Sequence, residues 1–462
     1  MNRFILFIPF RPLILLRKLR PFTLIRCFIV VWAFFSQAAF AEAPHLVVDI
    51  KGAVKQALSN NPLILQAREK LHQNDAEKSL LKSALYPNLN VLGTGLYRQD
   101  NVTATGNAPF GGTPYNSNNL DLKLIQPLFA YGTFNAIKQS DYDRQISLID
   151  LEIAERDLAN KVIQTFYSVI LNQKLLEVLN RQLDVLTETL KTSQNRYQTG
   201  RGQLLDLLQA KTQIALVKPK IADAQNRFVS AGAQLADYLG ESQNLTVTVK
   251  GELSSKPLKE IDAKINLKDS RLPELERVRL SREQLSEQKE VALGKHYPLL
   301  NLVGDLGTNS YSKSDFISNS NSSQFWSVGL QLTIPLFSGF SSVYDQRRLS
   351  SIDYQLEFQS HNLSNDLQFK QIQARKTLES AEASLVSAEE ASKLANDSIK
   401  EARRNFRLAT IDFMVYLTVQ NSSLAADSSL YQIKYDNISA LANYFVASGQ
   451  PIANLVDLLA EK

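Results

Sequence analysis

The chain has 462 residues, 51 of them basic and 46 acidic, with one cysteine. Six of the basic residues (Arg3, Arg11, Arg17, Lys18, Arg20, Arg26) lie in 1–41, which holds no acid, so beyond it 45 basic residues face 46 acidic ones. That balance excludes nucleic acid and polybasic membrane binding as consequences of net charge, and because the cysteine is Cys27, it also leaves no disulfide and no thiol ligand after the leader.

Cys27–Phe40 is apolar and Ala39-Phe40-Ala41 has the small-x-small form of a cleavage site, so 1–41 reads as a signal peptide cut before Glu42. No later apolar run reaches the roughly 18 residues of a membrane-spanning helix. Over 48–82, Val54, Leu58, Leu63, Ala67 and Leu71 recur at helical spacing, with a break or kink expected at Asn61-Pro62. The period then changes. Leu89, Val91, Gly93 and Gly95 alternate with Asn88, Asn90, Leu92 and Thr94, which predicts a strand over about 86–100. Residues 101–117, rich in Gly, Asn, Thr and Pro, read as an exposed loop. Leu120, Leu122 and Leu124 alternate with Asp121 and Lys123 in a second strand, about 118–128, ending at Pro127-Leu128-Phe129.

A long helix is predicted over 130–198. No glycine or proline interrupts 134–198, and Val162, Val169, Leu176, Leu183, Leu190 and Tyr197 recur every seven residues. That period specifies a left-handed coiled-coil seam, and 1.5 Å per residue makes the helix roughly 100 Å long. Gly200–Gly202 turns the chain into a return helix, 203–240, with a seam expected at Leu208, Ala215, Ala222, Val229 and Ala236 and a kink at Pro219. Residues 241–267 read as a linker with a small structured patch around Val247 and Val249.

The same order then repeats. Leu272-Pro273 echoes Asn61-Pro62, Tyr297-Pro298 echoes Tyr86-Pro87, and Pro335-Leu336-Phe337 echoes Pro127-Leu128-Phe129. Strands are predicted at about 297–309 and 324–336, flanking a Ser/Asn-rich loop at 308–324. A long helix follows at 340–408, with Ala381, Ala388, Ala395 and Ala402 beside Leu378, Leu385, Ser392, Ile399 and Phe406. A return helix at 412–448 carries Leu417, Leu424, Tyr431, Ile438 and Phe445, and a tail at 449–462 ends the chain. At the two tips Gly200 aligns with Ala409 and Asp206 with Val415, both at an offset of 209 residues. The chain is therefore a tandem duplication, 42–240 and 268–448.

The fold class follows: mainly α with membrane β, two pairs of coiled-coil helices and four β-strands per chain. Four strands cannot close a barrel, since small membrane barrels need about eight, and open sheet edges are not tolerated in lipid. Three chains supply twelve strands, with the helices continuing the cylinder as a tube.

The sequence resembles the TolC-like outer-membrane efflux and secretion channel family. The residues that carry the resemblance are Ala53–Pro62 with its Asn-Asn-Pro, the two Tyr-Pro pairs, the two Pro-Leu-Phe triplets and the tip Arg196-Tyr197-x-x-Gly200 with Asp206-Leu207-Leu208-x-Ala210. The resemblance implies a homotrimer with a twelve-stranded β-barrel in outer-membrane lipid and a helical tunnel in the periplasm. It also implies docking onto a periplasmic adaptor (membrane fusion) protein and an inner-membrane pump, proton-driven or of ABC type. The docking tips it implies are Thr199, Gly200, Arg201, Gly202 and Gln203 with Leu408, Ala409 and Thr410, extending to Asp412. In such channels a tyrosine, an arginine and two aspartates of the second tip hold and ring the gate. The matching positions here are Phe406, Ile411, Val415 and Thr418, facing Asp206 of the first copy. Phe406 and Ile411 have no polar side-chain group to offer, which implies an uncharged constriction. Asp412 and Arg201 lie nearby as alternative polar partners, and a one-residue shift of register would place Asp412 at the ring instead.

The four histidines (His45, His72, His296, His361) show no ligand spacing, and no nucleophile–base pair or phosphate loop is evident. The expectation is no enzyme, no metal and no cofactor. A trimeric coiled-coil surface stalk or adhesin and a periplasmic adaptor are the competing readings. Paired amphipathic strands and two hairpins per chain argue against both.

Overall fold

The computed structural model describes residues 45–100, 112–241, 246–254, 271–312, 321–408 and 410–460. The expected leader 1–41, the linker from 255 to 267 and Ala409 lie outside those residues. The elements are β1 (His45–Val48), α1 (Ile50–Asn60), α2 (Pro62–Ser83), β2 (Asn88–Arg98), β3 (Tyr115–Ala130), α3 (Tyr131–Gln198), α4 (Leu204–Tyr238), β4 (Thr246–Val249), α5 (Pro273–Leu293), β5 (Leu299–Ser312), β6 (Asn321–Thr333), α6 (Ser341–Arg407), α7 (Phe413–Ala447) and α8 (Ile452–Ala460). A turn of 3₁₀ helix, Gly294–His296, joins α5 to β5.

The two long helices span 68 and 67 residues, about 100 Å each. The shorter helices stack along them. In the half nearer the sheet the lateral order is α2–α3–α5–α6, and in the half nearer the tips it is α4–α3–α7–α6. Asn61 makes the break between α1 and α2. Its side-chain oxygen accepts from Leu63 N at 2.9 Å while its amide donates to Tyr238 O at 3.0 Å, and Pro62 needs no donor at a first helical position. Pro219 does not interrupt α4, which runs through it.

The duplication closes on itself through two glycines. Gly240 and Gly449, at φ 74° and 65°, follow the two return helices. A Cβ on Gly240 would lie 2.6 Å from Asn60 O, and one on Gly449 would lie 2.7 Å from Arg271 O. Each copy thus ends where only glycine fits, against the start of its own leading helix.

β2, β3, β5 and β6 form one antiparallel sheet in that order. Its register sorts the side chains cleanly. Val91, Leu122, Leu306 and Trp326 stand in one cross-strand row, and Asn90, Lys123, Asp305 and Ser327 stand in the adjacent row on the opposite face. The strands outrun the predicted ones at the loop end: β3 begins at Tyr115 and β5 continues to Ser312. Main-chain pairing needs no apolar alternation, so polar residues continue the ladder past the apolar band. β3 also runs through Pro127 to Ala130 with a register shift between Pro127 and Phe129, whereas β6 stops at Thr333, before Pro335. At Pro127 β3 has only β5 beside it, since its pairing with β2 ends at Ile125, and a missing N–H is tolerated at such a local edge or bulge.

Three further features depart from the sequence reading. The segment before α1 is a strand, β1, paired in parallel with β4. The tail contains α8, whose Leu455, Val456 and Leu458 are buried in the main core with Ala53, Val162, Phe166, Leu235, Leu441 and Phe445. The seam of α4 keeps its seven-residue period but not its phase: Ala210, Val217, Ala224 and Ala231 are buried, while Leu208 and Val229 are 51% and 58% exposed. Leu207, Leu235 and the expected Ala236 are buried too, and Ile214 and Ile221 pack half-buried between them, so small and large residues alternate along the buried face.

Candidate functional site

The site forms where the two hairpin tips lie side by side. The first tip is a helix C-terminus followed by a left-handed glycine: Gly200 has φ 71°, and Arg201 N donates to Arg196 O at 2.9 Å. The second tip keeps the corresponding bond, Thr410 N to Asn405 O at 3.0 Å. A small apolar cluster binds the tips together: Leu186, Ala210 and Val217 from the first hairpin, Ala402, Phe406, Phe413, Tyr416 and Leu417 from the second. Ile411 packs half-buried against it.

Phe406 is the hub. Its ring stacks on Tyr416 (centroids 4.8 Å, 11° between planes) and leans on Phe413 at 5.8 Å. Such pairs contribute about 0.5–1.5 kcal/mol beyond their burial. The Arg196 guanidinium of the first hairpin sits 4.7 Å from the Phe406 ring centroid. It donates to Phe406 O at 2.6 Å and to Arg407 O at 3.4 Å, last-turn carbonyls that have no partner inside α6. Arg407 in turn reaches back to Glu188 Oε1 at 2.7 Å. The polar bonds between the tips thus use Arg196, Arg407 and Glu188, which the sequence reading did not select as gate residues. The signal was present in Arg196, a basic residue in the last turn of α3, but its acceptors are backbone atoms that no motif reveals.

The residues expected at the gate are placed as follows. Phe406 is buried and Val415 is 50% exposed. Thr418 is exposed and donates to Met414 O of its own helix at 2.9 Å. Met414, Val415 and Thr418 form a stripe on α7 facing away from Phe413, Tyr416 and Leu417. Asp206 lies half-buried in the first turn of α4, where the helix N-terminus favours a carboxylate. Asp412 is the exposed N-cap position of α7. Thr199, Arg201, Gln203, Leu408 and Thr410 are exposed and Gly202 is half-exposed.

Above the tips the seam is polar. Gln182 and Gln420 are 8% and 6% exposed and line a cavity of ≈ 190 Å³ with Asn396, Arg403 and Asp427. Nearer the sheet, the Arg156 guanidinium joins α3 to Glu274 at the start of α5. Burial alone would raise the Glu274 carboxyl, but the bond from Arg156 and the residue's own backbone N–H hold it below the usual carboxylate range. Among the described residues no cluster of His, Asp or Glu is arranged to hold a metal, and no helix is long and apolar enough to cross a membrane.

The sequence model of the Outer membrane efflux protein family matches residues 53–241 and 265–448, one match per copy. The chain is 20% identical to the alkaline protease secretion protein AprF of Pseudomonas aeruginosa over 90% of its own length and 87% of that relative. It is 23% identical to the outer membrane protein TolC of Escherichia coli over 62% of this chain and 58% of the relative. Among solved structures, the CmeC outer membrane channel of Campylobacter jejuni superposes with a TM-score of 0.71 at 16% identity, covering 89% of each chain.

Proposed function

The chain belongs to the outer membrane efflux protein family, and on that premise we propose that it is a passive exit duct for small molecules or polypeptides, assembled as a trimer. Family members are outer-membrane channels of tripartite systems that reach through the periplasm. The observation that carries the trimer is the coincidence of open edges. β2 and β6 end the sheet, and α2 or α4 and α6 end the helical layer on the same two sides. Each lateral edge leaves large apolar side chains exposed, Leu205, Leu208 and Val229 on α4 and Phe369, Ile372 and Val386 on α6. Three copies joined edge to edge cover these residues and make twelve strands. The row Val91–Leu122–Leu306–Trp326 then faces lipid, and Asn90–Lys123–Asp305–Ser327 lines the lumen.

Partners follow the same reading. The tips around Thr199–Gln203 and Leu408–Asp412, exposed at Thr199, Arg201, Gln203, Leu408, Thr410 and Asp412, are the surface for a periplasmic adaptor, through which a pump in the inner membrane drives cargo. The Met414, Val415 and Thr418 stripe is the uncharged constriction of the closed tunnel. Expression in an outer-membrane host tests the first claim: a heat-modifiable trimer in the outer-membrane fraction that conducts ions in planar bilayers is expected, and a water-soluble rod overturns it. Val415→Asp tests the constriction. Divalent cations should block the variant more strongly than the wild type, and equal block would show that Val415 does not line the narrow point.

A further inference from the structure

We propose that Arg196 is the clasp that keeps the tunnel shut, by a bond that the first hairpin donates to the backbone of the second. This rests on the channel reading above. Four observations carry it. Arg196 stands in the last turn of α3, and its guanidinium crosses to the last turn of α6, with Phe406 O at 2.6 Å and Arg407 O at 3.4 Å. Those carbonyls form the negative end of a 67-residue helix, where a cation is favoured. The same guanidinium lies over the Phe406 ring, so the planar group makes two contacts that a lysine ammonium cannot make together. Phe406 is itself held by Tyr416 of the next helix. Arg196 therefore ties α3 to both helices of the second hairpin, directly to α6 and through the ring stack to α7.

The design accounts for the missing polar side chains of the second tip. A backbone acceptor is present whatever residue stands at 406 or 407, so the tip can carry Phe406 and Ile411 and still be latched by a charged donor. The ion pair Glu188–Arg407 is a weaker second point: both partners are more than half exposed and screened by solvent. Movement of the second hairpin away from the first, with its Met414, Val415 and Thr418 stripe, has to break the Arg196 bonds. Arg404, in the last turn of α6 and exposed, supplies an internal control with the same charge at the same mouth.

The test is single-channel conductance of the full-length trimer in planar bilayers. Arg196→Ala is expected to raise conductance or open probability several-fold, and Arg196→Lys, which keeps the charge but not the fork and plane, is expected to fall between it and wild type. Phe406→Leu is expected to open the channel in the same direction, less than additively with Arg196→Ala. Arg404→Ala is expected to leave conductance unchanged. Trimers of Arg196→Ala that conduct like wild type overturn the proposal, as does equal opening by Arg404→Ala, which would make the effect one of mouth charge. Should Arg196→Ala fail to assemble, Arg196→Lys and Phe406→Leu decide by the same criterion. A wild-type protein that makes no pore at all would instead overturn the channel reading.

Discussion

Single residues carry this fold at the places where a backbone conformation or a charge admits no substitute. Gly240 is one. A side chain there needs both a left-handed φ and the space occupied by Asn60 O, 2.6 Å from the added Cβ. Gly240→Ala is expected to destabilise the protein by on the order of 1–3 kcal/mol from the backbone term alone, read as a lower unfolding temperature in detergent. Gly200→Ala faces the same φ but nothing within 4 Å, and is expected to cost less. Glu274 is another. Its carboxyl titrates below the usual range in the fold. The stability it contributes is therefore fully present above the unfolded-state value near 4.5 and is lost as pH falls through the lower folded one. Glu274→Gln is expected to remove that contribution at neutral pH and to flatten the acid limb of a stability–pH profile. An unchanged limb would show that the Arg156 pair is not what holds the joint.

Among the helices, periodicity was legible throughout, and phase was legible everywhere but in α4. The seams of α6 and α7 follow the alignment of Leu378, Leu385, Phe406, Leu417, Ile438 and Phe445, all buried. In α4 two stripes share one period. The chain buries Ala210, Val217, Ala224 and Ala231 and leaves Leu208 and Val229 outside. The expected stripe of Leu208, Ala215, Ala222, Val229 and Ala236 lies one residue beyond Leu207, Ile214, Ile221 and Leu235, which pack inward, and a seven-residue period alone does not choose between adjacent stripes. The sheet gives the matching test. Val91 is 70% exposed in the apolar cross-strand row, and Asn90 stands on the opposite face beside Lys123. Val91→Arg is expected to cost about 2–4 kcal/mol at mid-membrane and to abolish assembly of the proposed trimer, whereas Asn90→Lys should assemble normally. Assembly assayed by heat-modifiability on gels distinguishes the two.

Over the whole molecule, the first and last described elements meet at mid-length. β1 and β4 pair in parallel, and α8 lies on α1 in the same core that receives the middle of α3 and the ends of α4 and α7. This belt sits between the sheet-side and tip-side halves, where α2 gives way to α4 and α5 to α7 along the uninterrupted α3 and α6. It supplies the only extensive core among the described residues, because the hairpins below it are layers one helix thick. Leu455 is fully buried there. Leu455→Ala is expected to cost about 2–5 kcal/mol, measured as thermal unfolding, and to lower the yield of trimer although residue 455 is far in sequence from any strand or tip.

The tandem copy, the order of strand pairs and hairpins, the two faces of each strand and the positions of the tips are legible in the amino-acid pattern. All of these are local periods or local breaks, written by alternation every two residues, repetition every seven, and glycine or proline between. The phase of α4, the strand β1, the packing of α8 and the bond from Arg196 to Phe406 O and Arg407 O are set by packing in three dimensions. Each of those depends on which surface comes to lie opposite, and in the last case the acceptor is a carbonyl common to every residue type. No side-chain pattern could announce it, because it arises only when the ends of two helices 210 residues apart are brought side by side.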